Sequence, residues 1–107
     1  MLRDIPERDW KYMRSIEKEL LGKLCARINK GSEEILQDVT LSDFDKYISN
    51  FKYIQASDQI VADCFDDWRR SKLIFRLLAI YRQGLMTEDE ISKLTEETQA
   101  RLKLVRD

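Results

Sequence analysis

The first part of the chain carries an apolar stripe at steps of three and four residues. Its members are Trp10, Met13, Ile16, Leu20, Leu24 and Ile28. This spacing places the side chains on one face of a helix. Glu7 and Asp9 put negative charge at the positive end of the helix dipole, so the first helix is predicted to begin near them. The stripe continues past Gly31, which favours a helix to about Gln37, but an end at residues 29–32 fits the sequence equally well.

A second apolar series follows a near-heptad spacing through the middle of the chain. It comprises Phe44, Tyr47, Phe51, Ile54, Val61, Phe65, Trp68 and Phe75. Thr40 is the predicted N-terminal cap, with Ser42 as the alternative, and Val39 is expected to pack on Phe44 as a hydrophobic staple. Because the range Leu41–Gln83 contains neither Gly nor Pro, it is predicted to be one helix.

The predicted length of this second helix points to a dimer. A straight helix over that range would measure about 65 Å, whereas a compact domain of this size has a radius of gyration of about 13 Å. The sequence leaves open whether the helix kinks or breaks near residues 56–58, where Asp58 interrupts the apolar series, or continues and pairs with a second copy. A lone helix could not bury the series on both sides of Asp58. We therefore predict an antiparallel helical dimer, and its candidate seam residues are Phe44, Tyr47, Phe51 and Ile54.

The last part of the chain carries a sharply marked two-helix corner. Gly84 fits the left-handed position of a Schellman motif, with Leu85 able to contact Ile80. Thr87 and Glu90 form a capping box that begins the last helix. The short connection is expected to fold the last helix back against the end of the second.

The predicted fold is all-α, because no segment alternates apolar and polar residues as a strand does. Three helices form one domain of residues 1–107. A long helical stem occupies roughly residues 6–60, and a small helical-corner head occupies roughly residues 61–105.

The composition excludes several kinds of catalytic site. The 107 residues contain no His, and the two cysteines, Cys25 and Cys64, are far apart in the chain. Without His the chain cannot build a His-based zinc site or a Ser-His-Asp or Cys-His nucleophile, and the cysteines match no redox motif. We expect no enzyme activity, no metal and no cofactor. Since neither a signal peptide nor an apolar stretch of about 18 residues occurs, we expect a cytoplasmic protein without a membrane span.

The charges nearly balance, with 19 Lys and Arg against 20 Asp and Glu. A net charge of -1 gives no general attraction to nucleic acid or to an anionic membrane. A local cluster of Arg69, Arg70 and Arg76 beside Trp68 supports an alternative function, a small transcriptional or nucleic-acid-binding regulator. Against it, Asp67 lies one helical turn from Arg70 and is expected to neutralise it.

The segment from Phe65 to Leu94 carries a series of short motifs with defined spacing. They are Phe65-Asp66-Asp67, Arg69 with Ser71, Leu73-Ile74-Phe75, Gly84-Leu85 and the acidic start of the last helix before Leu94. In these motifs the chain resembles the fluorescence recovery protein family, with Trp68 as a one-residue insertion. Members of that family are small all-helical dimers of cyanobacteria that bind the photoactivated orange carotenoid protein and speed its return to the resting state.

The resemblance implies a non-enzymatic homodimer that regulates a protein partner. Phe75 and Arg101 match head positions tied to partner binding in the family, and with Arg69 they are the candidate partner contacts. In the stem, the family uses a Trp, a His-Asp pair and an Arg. In this chain Phe44 lies near the position of the family's Trp, and Asp58 lies near the position of the family's Arg. The chain contains no His. We therefore expect a divergent member without orange carotenoid protein activity, whose own partner the sequence does not identify.

Overall fold

The structure is built from α-helices joined by short turns. The computed structural model describes residues 4–104, so residues 1–3 and 105–107, including the end of the predicted head, lie outside it. The elements are α1 (Glu7–Leu36), α2 (Asp43–Phe65), a 3-10 turn (Arg70–Lys72), α3 (Leu73–Arg82), α4 (Glu88–Ser92) and α5 (Glu96–Lys103). The all-α prediction is confirmed for the described residues. The prediction of three helices is wrong, because the described chain forms five.

The first helix is continuous over Glu7–Leu36, which confirms the longer of its two predicted versions. Gly31 lies inside α1 and does not end it. A Cβ atom added to Gly31 would overlap the hydroxyl group and ring of Tyr53 on α2. The glycine therefore allows the two helices to approach closely at this point, which is a packing role.

A turn of residues 37–42 connects α1 to α2. Ser42 caps α2, since its hydroxyl accepts a hydrogen bond from the Asp45 N–H at 3.1 Å. The predicted cap at Thr40 is wrong, because the Thr40 N–H and hydroxyl both donate to Asp38 Oδ1, at 2.9 and 2.6 Å. Those two bonds lower the pKa of the Asp38 carboxyl from its ordinary value. Val39 is 94% exposed, so the predicted hydrophobic staple is absent as well.

The second helix ends much earlier than predicted. It stays α-helical through residues 56–58, so the break considered there does not occur, and it ends at Phe65 instead of Gln83. Asp58 lies exposed on the helix surface. A carboxylate in water carries no desolvation cost, so this residue gives the helix no reason to break.

The break in the predicted long helix lies at residues 66–69. Asp67 adopts a left-handed backbone conformation there, with φ of 52°. Trp68 folds back onto Phe65, with 5.8 Å between the ring centroids, and its ring centroid lies 6.3 Å from that of Trp10 on α1. Aromatic packing across the fold stabilises this turn. Neither Gly nor Pro marks it in the sequence.

The corner at Gly84 has the predicted geometry. Gly84 has φ of 65°, and the Leu85 N–H donates to the Ile80 carbonyl at 3.3 Å, as a Schellman motif requires. Thr87 and Glu90 form both hydrogen bonds of the predicted capping box, at 2.9 and 3.1 Å. These local signals are confirmed in full.

The predicted last helix is divided into α4 and α5. Thr95 caps α5, and its N–H and hydroxyl donate to the carboxylate of Asp9 at 2.9 and 2.7 Å. The Thr98 hydroxyl donates to the same carboxylate at 2.6 Å. Asp9 lies on α1 and is completely buried. We call these three bonds the Asp9 clasp. It holds the start of α5 against the start of α1, and α5 begins as a separate helix at this point.

Burial divides the molecule into two regions. All the buried residues of the described chain lie within residues 5–24 and 57–102. We call residues 4–24 and 57–104 the packed end. Residues 25–56 form the distal hairpin, which contains the second half of α1, the turn and the first half of α2, and none of them is buried. The described chain measures 50 × 27 × 26 Å, so the molecule is elongated.

Candidate interaction surfaces

The four predicted seam residues form an exposed stripe along α2, which we call the stem stripe. Phe44 is 69% exposed, Tyr47 65%, Phe51 53% and Ile54 42%. Steps of three, four and three residues place them on one face of the helix. Isolated exposed apolar residues are common on protein surfaces, but four neighbours that include three aromatic rings form a surface suited to a protein contact.

The opposite face of α2 in the distal hairpin packs on α1, but without a well-formed core. Tyr53 fills the contact at Gly31. The side-chain oxygens Ser32 Oγ and Asn50 Oδ1 are buried there, and neither has a hydrogen-bond partner among the described residues. Such atoms lose their hydration without gaining a replacement, which is unfavourable. Unlike the packed end, the distal hairpin has no buried residue that would stabilise it as a single copy.

Phe75 is the exposed large apolar residue of α3. It is 48% exposed, while most of the other apolar side chains of that helix, including Leu73, Ile74, Leu77 and Ile80, are buried in the core. The core-facing residues orient α3, and that orientation directs Phe75 outward. The head therefore presents an aromatic ring on a rigid helix.

A shallow groove of about 290 Å³ lies beside Phe75. Its lining residues are Asp63, Phe75, Arg76, Leu78, Ala79 and Arg82. Arg76 is fixed by donating to the carbonyl oxygens of Ala62 and Asp63, at 3.1 and 2.8 Å, where α2 ends. The groove thus combines an exposed ring and apolar side chains with charges of both signs.

Arg69 lies in the turn that follows α2. Its Nε and one terminal nitrogen donate to the two carboxylate oxygens of Asp67, at 2.6 and 3.0 Å. This two-point pair raises the pKa of Arg69 and lowers the pKa of Asp67. The guanidinium therefore has a defined orientation at the surface.

The three predicted partner contacts do not converge on one groove. Phe75 lines the groove described above, whereas Arg69 and Arg101 are absent from its lining. Arg101 is half-buried on α5. The residues that do accompany Phe75, notably Asp63 and Arg82, were not singled out in the sequence. The feature that could have indicated Arg82 is its seven-residue separation from Phe75, two helical turns along one face of α3.

The basic cluster is engaged within the protein. Arg70 donates through Nε to the Ile5 carbonyl at 2.9 Å, Arg76 holds the end of α2, and Arg69 binds Asp67. The predicted pairing of Asp67 with Arg70 is replaced by Asp67 with Arg69, because residues 66–69 are not helical. These bonds give no support to a nucleic-acid surface.

Residues 4–104 contain neither a metal-binding cluster nor a membrane span. Within that part of the chain, no group of three or more His, Cys, Asp or Glu side chains could hold a metal ion. None of its helices is both long and apolar enough to cross a membrane.

Comparisons with protein families, with curated proteins and with solved structures give no match for this chain.

Proposed function

We propose that the protein is a non-enzymatic regulator that forms an antiparallel homodimer through the stem stripe and binds a protein partner through the head surface around Phe75. It acts in the cytoplasm as a divergent relative of the fluorescence recovery protein family, without activity on the orange carotenoid protein. Its partner is another protein.

The observation that carries this proposal is the placement of exposed large apolar side chains in two separate regions. Six of them lie between Leu36 and Ile54 in the distal hairpin, and Phe75 and Leu104 lie in the packed end. Aromatic anchors supply a large share of the binding energy at protein interfaces. Two separate surfaces allow the molecule to pair with itself and to bind a partner at the same time.

Regulation by binding requires a difference in affinity between two states of the partner. A protein that binds both conformations equally shifts neither, however tightly it binds. Phe75 on the rigid helix α3 is suited to selecting a conformation that offers an apolar pocket. Arg82 and Asp63 beside Phe75 add charges of both signs. A partner conformation without complementary charges at these positions would bind less tightly.

The partner surface is tested by site-specific photocrosslinking. A benzoyl-phenylalanine residue replaces Phe75 in the native host, and the matched control carries it at Leu104, which is exposed on the packed end but does not line the groove. We expect a protein that crosslinks from position 75 and not from position 104. The purified candidate should bind wild-type protein and bind the Phe75→Asp variant about tenfold or more weakly.

Two results would overturn the proposal. If the purified candidate binds wild type and Phe75→Asp equally, the head surface is wrong. If purified orange carotenoid protein binds with the same dependence on Phe75, the assignment of a different partner is wrong. Sedimentation at micromolar concentrations tests the homodimer separately.

A further inference from the structure

We propose that two copies of α2 pack against each other in one antiparallel register, whose two-fold axis crosses α2 at Ser49. In this register Phe44 lies opposite Ile54 of the partner subunit, and Tyr47 lies opposite Phe51 of the partner subunit. The inference rests on the proposed homodimer and adds to it the residues that meet across the axis.

The distal hairpin is the part of the molecule that is expected to pack against a second copy. Residues 25–56 are all described by the structure, and none of them is buried. Two helices without a core depend on packing against another surface, because isolated helices are marginal in water. The stem stripe is the extended apolar face of this hairpin, so a copy of the same hairpin provides a cover of the same length and chemistry.

The spacing of the stem stripe makes it self-complementary when one copy is reversed. The steps from Phe44 to Ile54 are three, four and three residues, and they read the same in both directions. Reversal about Ser49 places each apolar side chain against an apolar side chain. This is how the two core positions of a heptad alternate in antiparallel helix pairs.

Asp58 disfavours two alternatives to this register, a parallel pair and an antiparallel shift by one heptad towards the end of α2. It continues the heptad series seven residues after Phe51, so a parallel pair would place it against Asp58 of the partner subunit, where like charges repel. An antiparallel shift by one heptad would place it against Tyr47. In the proposed register Asp58 lies opposite residue 40, which precedes the start of α2 at Asp43. The carboxylate then remains in water.

The area of the stem stripe corresponds to a weak dimer. An aromatic side chain presents about 150–250 Å², so the exposed fractions correspond to roughly 450 Å² on each copy. Two copies then bury at most about 900 Å² through the stem stripe, slightly below the roughly 1,000 Å² that a specific interface should exceed, so the residues flanking the stem stripe must also be covered. We therefore expect association at micromolar concentrations.

Charge-swap variants test the register by sedimentation equilibrium. Phe44→Glu and Ile54→Lys should each weaken the dimer about tenfold or more, because each places an unpaired charge against an apolar residue. The double variant F44E/I54K should recover most of that loss, since Glu faces Lys at two symmetric positions. The matched control F44E/F51K should not recover, because those positions do not meet in this register.

The outcomes separate the register from the homodimer. A wild-type dimer with no recovery in F44E/I54K, or with recovery in F44E/F51K, overturns the register and leaves the homodimer standing. A wild-type monomer throughout the micromolar range overturns both. All three substituted positions are exposed and lie outside the packed end, so the near-ultraviolet circular dichroism of the Trp10–Trp68 pair should equal that of wild type and confirm that the packed end of each variant is folded.

Discussion

The packed end and the distal hairpin contain parts of the same two helices but differ in what covers them. In the packed end, α1 and α2 are enclosed by α3, α4 and α5, and every buried residue of the described chain is found there. In the distal hairpin, α1 and α2 pack mainly on each other, and only its edge reaches the packed end, where Arg27 donates to the Gln83 carbonyl at 2.9 Å. Apolar periodicity is continuous across both regions, so periodicity predicts a helix but does not reveal which stretch of it is buried.

The largest expected difference between the two regions is the effect of removing a leucine side chain. Leu77→Ala in the packed end should lower the free energy of unfolding by about 2–5 kcal/mol, because Leu77 is fully buried on α3. Leu36→Ala in the distal hairpin should change it by less than about 0.5 kcal/mol, since half of that side chain is already in water. Urea unfolding at low protein concentration measures both. Equal losses would show that the hairpin has a core of its own.

The Asp9 clasp should be the second most sensitive feature of the packed end. Asp9→Ala removes the acceptor for three hydrogen bonds and leaves the Thr95 N–H and two hydroxyls without their partner. We expect a loss of about 2–4 kcal/mol in the free energy of unfolding. Glu7→Ala is the matched control, because Glu7 lies exposed in the same helical turn, and it should have little effect.

The clasp also shows which parts of the fold the sequence could not predict. Gly84 and Thr87 were predicted correctly because a left-handed glycine and a capping box involve residues close in the chain. The division of the last helix depends on Asp9, which is far from Thr95 in the chain and looks like an ordinary first-turn acid. The break at Trp68 likewise depends on a ring contributed by α1.

The candidate surfaces were predictable to a similar extent. The stem stripe was identified by its spacing, but the reason given for a dimer, an uninterrupted helix to residue 83, is wrong. A better reason to expect a dimer is that the stem stripe is exposed on a hairpin without buried residues. Recognising this requires the positions of all five helices. For the head, the sequence indicated Phe75, whereas its neighbours in the groove depend on how the ends of α2 and α3 meet.

A pair of glycines on α1 gives a smaller but sharper contrast. Gly22→Ala should stabilise the protein by about 0.5–1 kcal/mol, because nothing lies near the new methyl group and Ala favours helix. Gly31→Ala should show no such gain, since its methyl group displaces Tyr53. Combining it with Tyr53→Ala should restore the helix-propensity gain relative to Tyr53→Ala alone. Equal effects of both glycine substitutions would show that the close approach of α1 and α2 does not persist in solution.

The two cysteines provide the mildest test, with one in each region. Burial raises the pKa of the Cys64 thiol to about 11, whereas Cys25 is exposed on the distal hairpin. At pH 8 iodoacetamide should modify Cys25 about tenfold or more faster than Cys64, as peptide mass spectrometry can measure.

The raised pKa of Cys64 also predicts how stability depends on pH. Below pH 9.0, the ordinary pKa of a thiol, Cys64 is neutral in both the folded and the unfolded chain. Its ionisation therefore does not reduce the free energy of unfolding in that range. Between that value and about 11 the unfolded chain ionises first, so the free energy of unfolding should fall as the pH rises. Cys64→Ala removes this component of the pH dependence, while Cys25→Ser keeps it. An equal slope in both variants would place the titrating group elsewhere in the protein.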